Sequence, residues 1–165
     1  MRKFGWIKVI PDQKSEQKKE EYGPEPLEEK FTLEYLQDIF SKTRRAIKIV
    51  LMDQKKIAGL GNIYANEALF EAGIDPRRPA NSLTYQEITK LYEAIIKVLQ
   101  AAIKAGGTSA ADDAYIKPDA TPGGYQCYLK VYQQAGKPCP RCQKGIIKRL
   151  NLAGRGTFFC PRCQK

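Results

Sequence analysis

The sequence predicts a mainly α-helical fold that ends in a small cysteine-rich β-hairpin. Apolar residues recur at helical spacing from residue 31 to about residue 105. Four of the five cysteines fall between residues 139 and 163, in two Cys-x2-Cys pairs. A chain of 165 residues suffices for one ordinary domain plus a small appendage, and its apolar runs are too short to span a bilayer.

The N-terminal segment has a different character. Residues 1–10, "MRKFGWIKVI", predict a β-strand, and the polar, proline-containing residues 11–30 predict a linker. The first residues lack the charged-then-apolar pattern of a signal peptide. A reducing, cytoplasmic compartment is therefore expected, and with it free or metal-bound cysteines rather than disulfides.

Four helices are expected between residues 31 and 107. Thr32 is a candidate N-cap of the first, and the second is expected at about 44–52. The third follows a turn at residues 59–61, with Asn62 as its cap, and ends at Gly73. The capping box Thr84-x-x-Glu87 opens a long amphipathic helix that the glycines at 106–107 close.

Two features between and after these helices suggest ligand contact. In "GLGN" before the third helix, backbone N–H groups and the helix dipole can face a phosphate, although glycine and asparagine are also ordinary turn residues. Residues 108–126 form a predicted loop that is long for a compact domain, which favours a binding role.

The charge distribution indicates a polyanionic partner. The formal net charge is +10, and residues 120–165 hold nine Lys or Arg and no Asp or Glu. Residues 16–30, in contrast, hold six Glu and three Lys. Nucleic acid is the commonest partner of such a basic region, although a basic surface can also serve solubility alone.

The cysteine pairs predict a zinc site. Two Cys-x2-Cys knuckles separated by seventeen residues can place four thiolates around one tetrahedral zinc ion. The chain has no histidine. Redox-active thiol pairs are the alternative, but they do not explain the β-hairpin predicted between the knuckles. The expected ligands are Cys139, Cys142, Cys160 and Cys163. Cys127, outside the pattern, is expected to be a small buried apolar residue.

Arg155 is the candidate phosphate-binding residue of that hairpin. It is expected in the hairpin turn, between Gly154 and Gly156, where a guanidinium can approach a groove closely. An arginine selected for solubility at the turn is the alternative.

Together these motifs resemble the formamidopyrimidine-DNA glycosylase (Fpg/Nei) family. The resemblance rests on "MDQKKIAGLGNIYANEALFEAGIDPRRPA", "AGGTS", "KVYQQAGKPCPRC" and "GRGTFFCPRCQK". It implies a helix–two-turn–helix bundle at 31–126 and a zinc-finger hairpin at 127–165, with 1–10 as a strand left from an N-terminal β-sandwich. It also implies base-excision repair: flipping of an oxidised purine nucleotide, glycosidic bond cleavage and strand nicking.

The resemblance carries over specific residues. Three residues match DNA-binding positions. Asn62 matches the turn asparagine that holds a phosphate beside the lesion, and Lys48 matches a lysine of the preceding helix that faces the backbone. Tyr132 matches the tyrosine of the segment near the junction of bundle and finger. Arg155 matches the zinc-finger arginine that grips the damaged nucleotide's phosphates and assists the last elimination step. Residues 109–125 match the lesion-recognition loop, but Ala110-Ala111-Asp112-Asp113 stands where a lysine is often seen.

The start of the chain departs from the family pattern. The family's catalytic domain begins with a nucleophilic proline followed by a glutamate, and this chain begins Met1-Arg2. We therefore expect a C-terminal portion that is inactive alone, with a separate N-terminal half as a possible partner. Arg2 and Phe4 match two residues that enter the duplex, one facing the orphaned base and one wedging the stack. A stand-alone DNA-binding or abasic-site-binding zinc module, and an RNA- or protein-binding zinc ribbon, are the other readings.

Overall fold

The computed structural model describes residues 22–109 and 123–165. Its helices are α1 (Leu33–Ser41), α2 (Ile47–Leu51), α3 (Asn62–Ala72) and α4 (Tyr85–Lys104), with short 3-10 helices at Ala80–Ser82 and Tyr125–Tyr128. Strands β1 (Lys148–Leu152) and β2 (Arg155–Phe159) form a two-stranded antiparallel sheet. The predicted mainly α fold with a C-terminal hairpin is confirmed. The strand predicted at 1–10 lies outside the described residues.

Local sequence signals set most helix ends. Thr32 Oγ1 accepts from the backbone N–H of Tyr35 at 3.2 Å, and the predicted capping box of α4 is present in full. Gly73 ends α3 in the left-handed region, with φ of 76°. Because this conformation strains residues with a Cβ, glycine is favoured there.

Helix α2 is shorter than the predicted 44–52. The residues before it run alongside the segment that follows α3, so their backbone groups bond across the chain instead of along a helix. Arg78 O accepts from Ile47 N at 2.7 Å, and Arg45 O accepts from Ala80 N at 2.9 Å. The helix begins at Ile47, and the backbone N–H groups of Ile47 and Lys48, in its first turn, still donate across to Arg78 O and Pro76 O.

The apolar core lies between the four helices. Its buried residues are Phe31, Leu36, Ile39, Phe40, Ile47, Val50, Leu51, Ile57, Leu60, Ala65, Ala68, Leu69, Ile74, Ala80, Leu83, Ile88, Leu91 and Ile95. Helices α3 and α4 pack along each other through the middle of this cluster. No helix within the two described ranges has both the length and the apolar character needed to cross a membrane.

Contacts to the bundle begin inside the segment predicted as a linker. Gly23 N donates to Gln54 O at 3.0 Å, and Ala58 N donates to Pro24 O at 3.2 Å. A Cβ at position 23 would lie 2.1 Å from Lys56 O, so only glycine allows this approach. Of the segment 11–30, residues 22–30 are described; residues 23–25 lie against the turn that precedes α3, and residues 26–29 line a pocket with α4.

The C-terminal end of the chain holds the hairpin against α3. Gln164 Nε2 donates to Ile74 O at 2.8 Å, while Gln164 Oε1 accepts from Cys160 N at 2.8 Å. Lys165 N donates to Gly73 O, and Asp75 N donates to Lys165 O, both at 3.0 Å. We call these contacts the C-terminal seam. They join the hairpin to the segment that follows α3.

Candidate metal centre and nucleic-acid interface

The four predicted cysteines converge on one point. Their Sγ atoms all lie within 4.8 Å of one another. The Sγ atoms of Cys139 and Cys163 are 3.7 Å apart, and those of Cys142 and Cys160 are 3.9 Å apart. Four sulfurs at about 2.3 Å from a tetrahedral zinc ion would be about 3.8 Å from each other. The cysteines therefore form the zinc site, and the predicted cofactor is confirmed.

The backbone around the sulfurs is shaped for thiolate ligands. Gly145 N donates to Cys142 Sγ at 3.3 Å, which favours the deprotonated sulfur. A Cβ on Gly145 would lie 2.7 Å from Cys160 Sγ, so a side chain there would displace the ligand. Cys127, predicted to be buried, is instead exposed: it lies at the surface in the 3-10 helix, away from the apolar clusters. That prediction was wrong.

Arg155 was predicted in the hairpin turn, but it lies just after the turn, at the start of β2. The turn is the two-residue pair Ala153–Gly154, with φ of 49° and 75°, which matches the tight hairpin turn that follows the strand twist. Arg155 is the first residue of β2, paired with Leu152, and it is exposed. The guanidinium therefore extends from a backbone position fixed by the strand pairing.

A cleft of about 320 Å³ separates the hairpin tip from α2 and the segment after it. Its cationic lining residues are Arg45, Lys48 and Arg155. Asp53 also lines the cleft but is bonded to Arg45, with Nη1 and Oδ2 3.0 Å apart. Cations outnumber carboxylates on these walls, so the cleft favours an anion.

Lys48, predicted to face DNA, is buried in this cleft's inner wall with 1% of its surface exposed. Its Nζ donates to Gly156 O at 2.9 Å and to Thr157 Oγ1 at 2.8 Å. Burial, and then the nearby charge of Arg155, lowers the pKa of Lys48 to about 7. The Lys48 ammonium group thus donates to acceptors within the protein. This geometry does not favour direct contact with DNA, which stays a prediction.

Asn62 is the first residue of α3 rather than its cap. Gly61 occupies the cap position and has no side chain with which to cap the backbone N–H groups of the first helical turn. The turn before it is braced by Gln54, whose Oε1 accepts from Gly59 N at 2.9 Å and whose Nε2 donates to Leu60 O at 3.1 Å. The half-exposed Asn62 side chain thus stands at a helix start suited to a phosphate.

Tyr132 is held at the junction of bundle and hairpin. Its backbone N–H donates to Glu67 Oε1 at 2.8 Å, and Glu67 also accepts from Lys130 N and Val131 N. Burial raises the pKa of Glu67, while these three backbone donors oppose that rise. The ring of Tyr132 packs edge-on against Phe158 with the centroids 5.2 Å apart.

Three polar residues that organise the site were missed in the sequence: the exposed Gln54 and the buried Asn66 and Glu67. The one available signal was the polar pair 66–67 inside the otherwise apolar "YANEALF". Among the predicted DNA contacts, Arg2 and Phe4 lie outside the described residues, as do 110–122 of the predicted recognition loop.

Comparison with known proteins decides the family. Residues 22–113 match the family model described as the formamidopyrimidine-DNA glycosylase H2TH domain, and residues 136–165 match a zinc finger found in FPG and IleRS. The chain belongs to the formamidopyrimidine-DNA glycosylase family. The predicted family is therefore confirmed.

Relatives within this family match nearly the whole chain. The formamidopyrimidine-DNA glycosylase of Thermus thermophilus is 46% identical over 142 residues, covering 86% of this chain and 53% of that protein. That of Desulfitobacterium hafniense is 47% identical over 165 residues, covering 99% of this chain and 59% of that protein. The chain thus spans a little over half the length of the curated relatives that it matches.

Solved structures of Fpg proteins share the fold. The crystal structure of the Thermus thermophilus MutM (Fpg) protein matches with a TM-score of 0.84 and 46% identity, over 87% of this chain and 54% of that one. A Lactococcus lactis Fpg mutant in complex with DNA containing Fapy-dG matches with a TM-score of 0.82 and 38% identity, over 93% and 55%. Lactococcus lactis Fpg with abasic-site DNA gives a TM-score of 0.81.

Proposed function

We propose that the chain binds the backbone of damaged double-stranded DNA, as the C-terminal part of a bifunctional glycosylase and abasic-site lyase that acts on oxidised purines. One observation carries the proposal. Exposed Arg155 stands at a cationic cleft, and α3 presents Asn62 at its uncapped start. Two fixed groups on separate elements can hold consecutive backbone positions of one duplex. Solved relatives in complex with Fapy-dG and abasic-site DNA support the choice of ligand.

The decisive experiment measures Arg155→Ala against a duplex with one abasic-site analogue. We expect affinity to fall by about 1–3 kcal/mol and the slope of log K against log salt to become shallower by about one, because one phosphate contact is lost. Lys90→Ala, which removes a positive charge from an exposed position on α4, is the matched control and should change neither quantity much. Unchanged affinity and slope in Arg155→Ala would contradict the proposal.

Competition with RNA tests the alternative reading as an RNA-binding zinc ribbon. The proposal predicts that single-stranded RNA of equal length competes weakly with the damaged duplex. Equal competition by RNA would favour the zinc ribbon reading instead.

We further propose that this chain does not cleave DNA by itself and acts together with a separate N-terminal half in the cytoplasm. The chemistry needs an amine that attacks C1′ and a carboxylate that manages protons. Lys48, a lysine with a strongly lowered pKa, contacts a carbonyl and a hydroxyl but no carboxylate of residues 22–109 and 123–165.

Borohydride trapping on a duplex with oxidised guanine tests this point. We expect no covalent capture by the chain alone. Efficient capture would contradict it, and loss of that capture in Lys48→Met would identify the amine.

A further inference from the structure

Asn66 connects the two elements that carry Asn62 and Arg155, the residues to which the proposed function assigns contacts with the DNA backbone. Its side chain is 1% exposed and follows Asn62 by about one helical turn on α3. Asn66 Nδ2 donates to Asn62 O at 2.7 Å, and Asn66 Oδ1 accepts from the backbone N–H of Phe158 at 2.8 Å. One buried side chain therefore touches both the helix start and the zinc hairpin.

Strand β2 is held at a second point from α2. Lys48 bonds to Gly156 O and Thr157 Oγ1, and the Thr157 hydroxyl lies 3.2 Å from Arg155 O as its donor. Phe158 follows Arg155 by three residues, about 10 Å along an extended strand. The bond from the Phe158 N–H to Asn66 therefore fixes the position of β2 relative to α3. Arg155, at the start of β2, is placed by the same bond.

We propose that Asn66 is a positioning residue that sets the placement of Arg155 relative to Asn62. The proposal rests on the proposed function, because it concerns the same backbone contacts. Phosphates recur at a fixed interval along a strand, so two grips help each other only when their separation matches it. Without Asn66 Oδ1 the buried Phe158 N–H would lack this acceptor, which favours a shift of β2.

Two substitutions separate the two halves of the Asn66 contact. Asn66→Ser keeps a hydroxyl that can donate back to Asn62 O, four residues earlier, but it is too short to reach Phe158. Asn66→Asp keeps an oxygen that accepts from the Phe158 N–H. Burial beside the Asn62 carbonyl favours the protonated form of this aspartic acid, which adds no negative charge at the helix start. Asn81→Ser, at an exposed asparagine of the Ala80–Ser82 3-10 helix, is the matched control.

The measurement is duplex affinity of the full, zinc-loaded chain as a function of salt. We expect Asn66→Ser to bind about tenfold more weakly, with a slope shallower by about one, and Asn66→Asp to stay within about threefold of the unsubstituted chain. Zinc content and far-UV circular dichroism should be unchanged in all three. If Asn66 served folding alone, Asn66→Ser would lower stability, and the slope of log K against log salt would not change for the protein that still folds.

A double-mutant cycle ties the effect to Arg155. In the Asn66→Ser background, Arg155→Ala should weaken binding by less than about threefold, because the misplaced arginine has already lost its contact. Full additivity of the two substitutions, or an unchanged slope in Asn66→Ser, would overturn the positioning role. If Arg155→Ala alone has no effect, the proposed function and the positioning role both fail. If Arg155→Ala weakens binding but Asn66→Ser does not, the proposed function stands and the positioning role fails.

Hydrogen exchange keeps the proposal testable should Asn66→Ser fail to fold. The Phe158 amide should exchange slowly in the unsubstituted chain and in Asn66→Asp. Fast exchange of this amide in the unsubstituted chain would overturn the proposal.

Discussion

The helical bundle and the zinc hairpin are stabilised by different means. The bundle's main cluster has eighteen buried residues, all apolar. The cluster beneath the hairpin has six, of which Cys139 and Cys160 are zinc ligands and Phe70 belongs to α3. The bundle can therefore fold by burying apolar surface, whereas the hairpin depends on its metal and on packing against α3.

Zinc removal should expose this difference most strongly. Structural zinc supplies on the order of 10 kcal/mol to modules of this kind, so a chelator should unfold the hairpin. The native amide signals of residues 136–165 should disappear, while those of α1 to α4 persist and the helical circular dichroism is retained. Helices that melt together with the hairpin would show that the two regions are not separable.

A core truncation in the bundle should have the next largest effect. Leu69 is fully buried, so Leu69→Ala should lower the free energy of unfolding by about 2–5 kcal/mol in urea titrations followed by circular dichroism. Ile103→Ala, at a residue 66% exposed on α4, is the control and should cost less than about 0.5 kcal/mol. Equal costs at the two positions would argue against an apolar basis for bundle stability.

Breaking the C-terminal seam should lower stability by a smaller amount. The loss should affect the hairpin's attachment to the bundle and not the bundle itself. Gln164→Ala leaves Cys160 N and Ile74 O without their side-chain partner, at a cost of about 1–3 kcal/mol. We expect the hairpin signals to melt at a lower temperature while the bundle's midpoint changes little. Gln100→Ala, on the exposed side of α4, should change neither.

Per pH unit, the change in stability caused by Lys48 should be the smallest of these effects. Its pKa falls from 10.5 to about 7 on folding, so the unfolded chain binds more protons above that value. The contribution of Lys48 to the free energy of unfolding is therefore most unfavourable below about pH 7. Stability should rise with pH from there towards 10.5, by on the order of 1 kcal/mol per pH unit. Unfolding free energies of the chain and of Lys48→Met, measured across this range, should diverge; a constant difference would contradict the lowered pKa.

Local signals explain what the sequence could predict. The Thr84–Glu87 capping box and the left-handed Gly73 each act within a few residues, and the cysteine spacing contains the zinc geometry directly. Such features need no knowledge of the rest of the fold.

The remaining site residues depend on partners far along the chain. Lys48 was expected to face the DNA backbone because it matches a family lysine, but its acceptors come from β2. Asn62 was expected to cap α3, but Gly61 adopts the extended cap conformation instead. Glu67 gains its role only through three consecutive amides of the segment before the hairpin.

The anchoring of β2 by Lys48 and Asn66 also bears on the order of folding. These bonds close chain separations of 108 and 92 residues, whereas the helix caps close three or four. Contacts between distant residues form slowly because the loop entropy is lost before the bond is gained. We therefore expect the helices to assemble early and the hairpin to dock last, so that Arg155 and Asn62 reach their final arrangement only when folding is nearly complete.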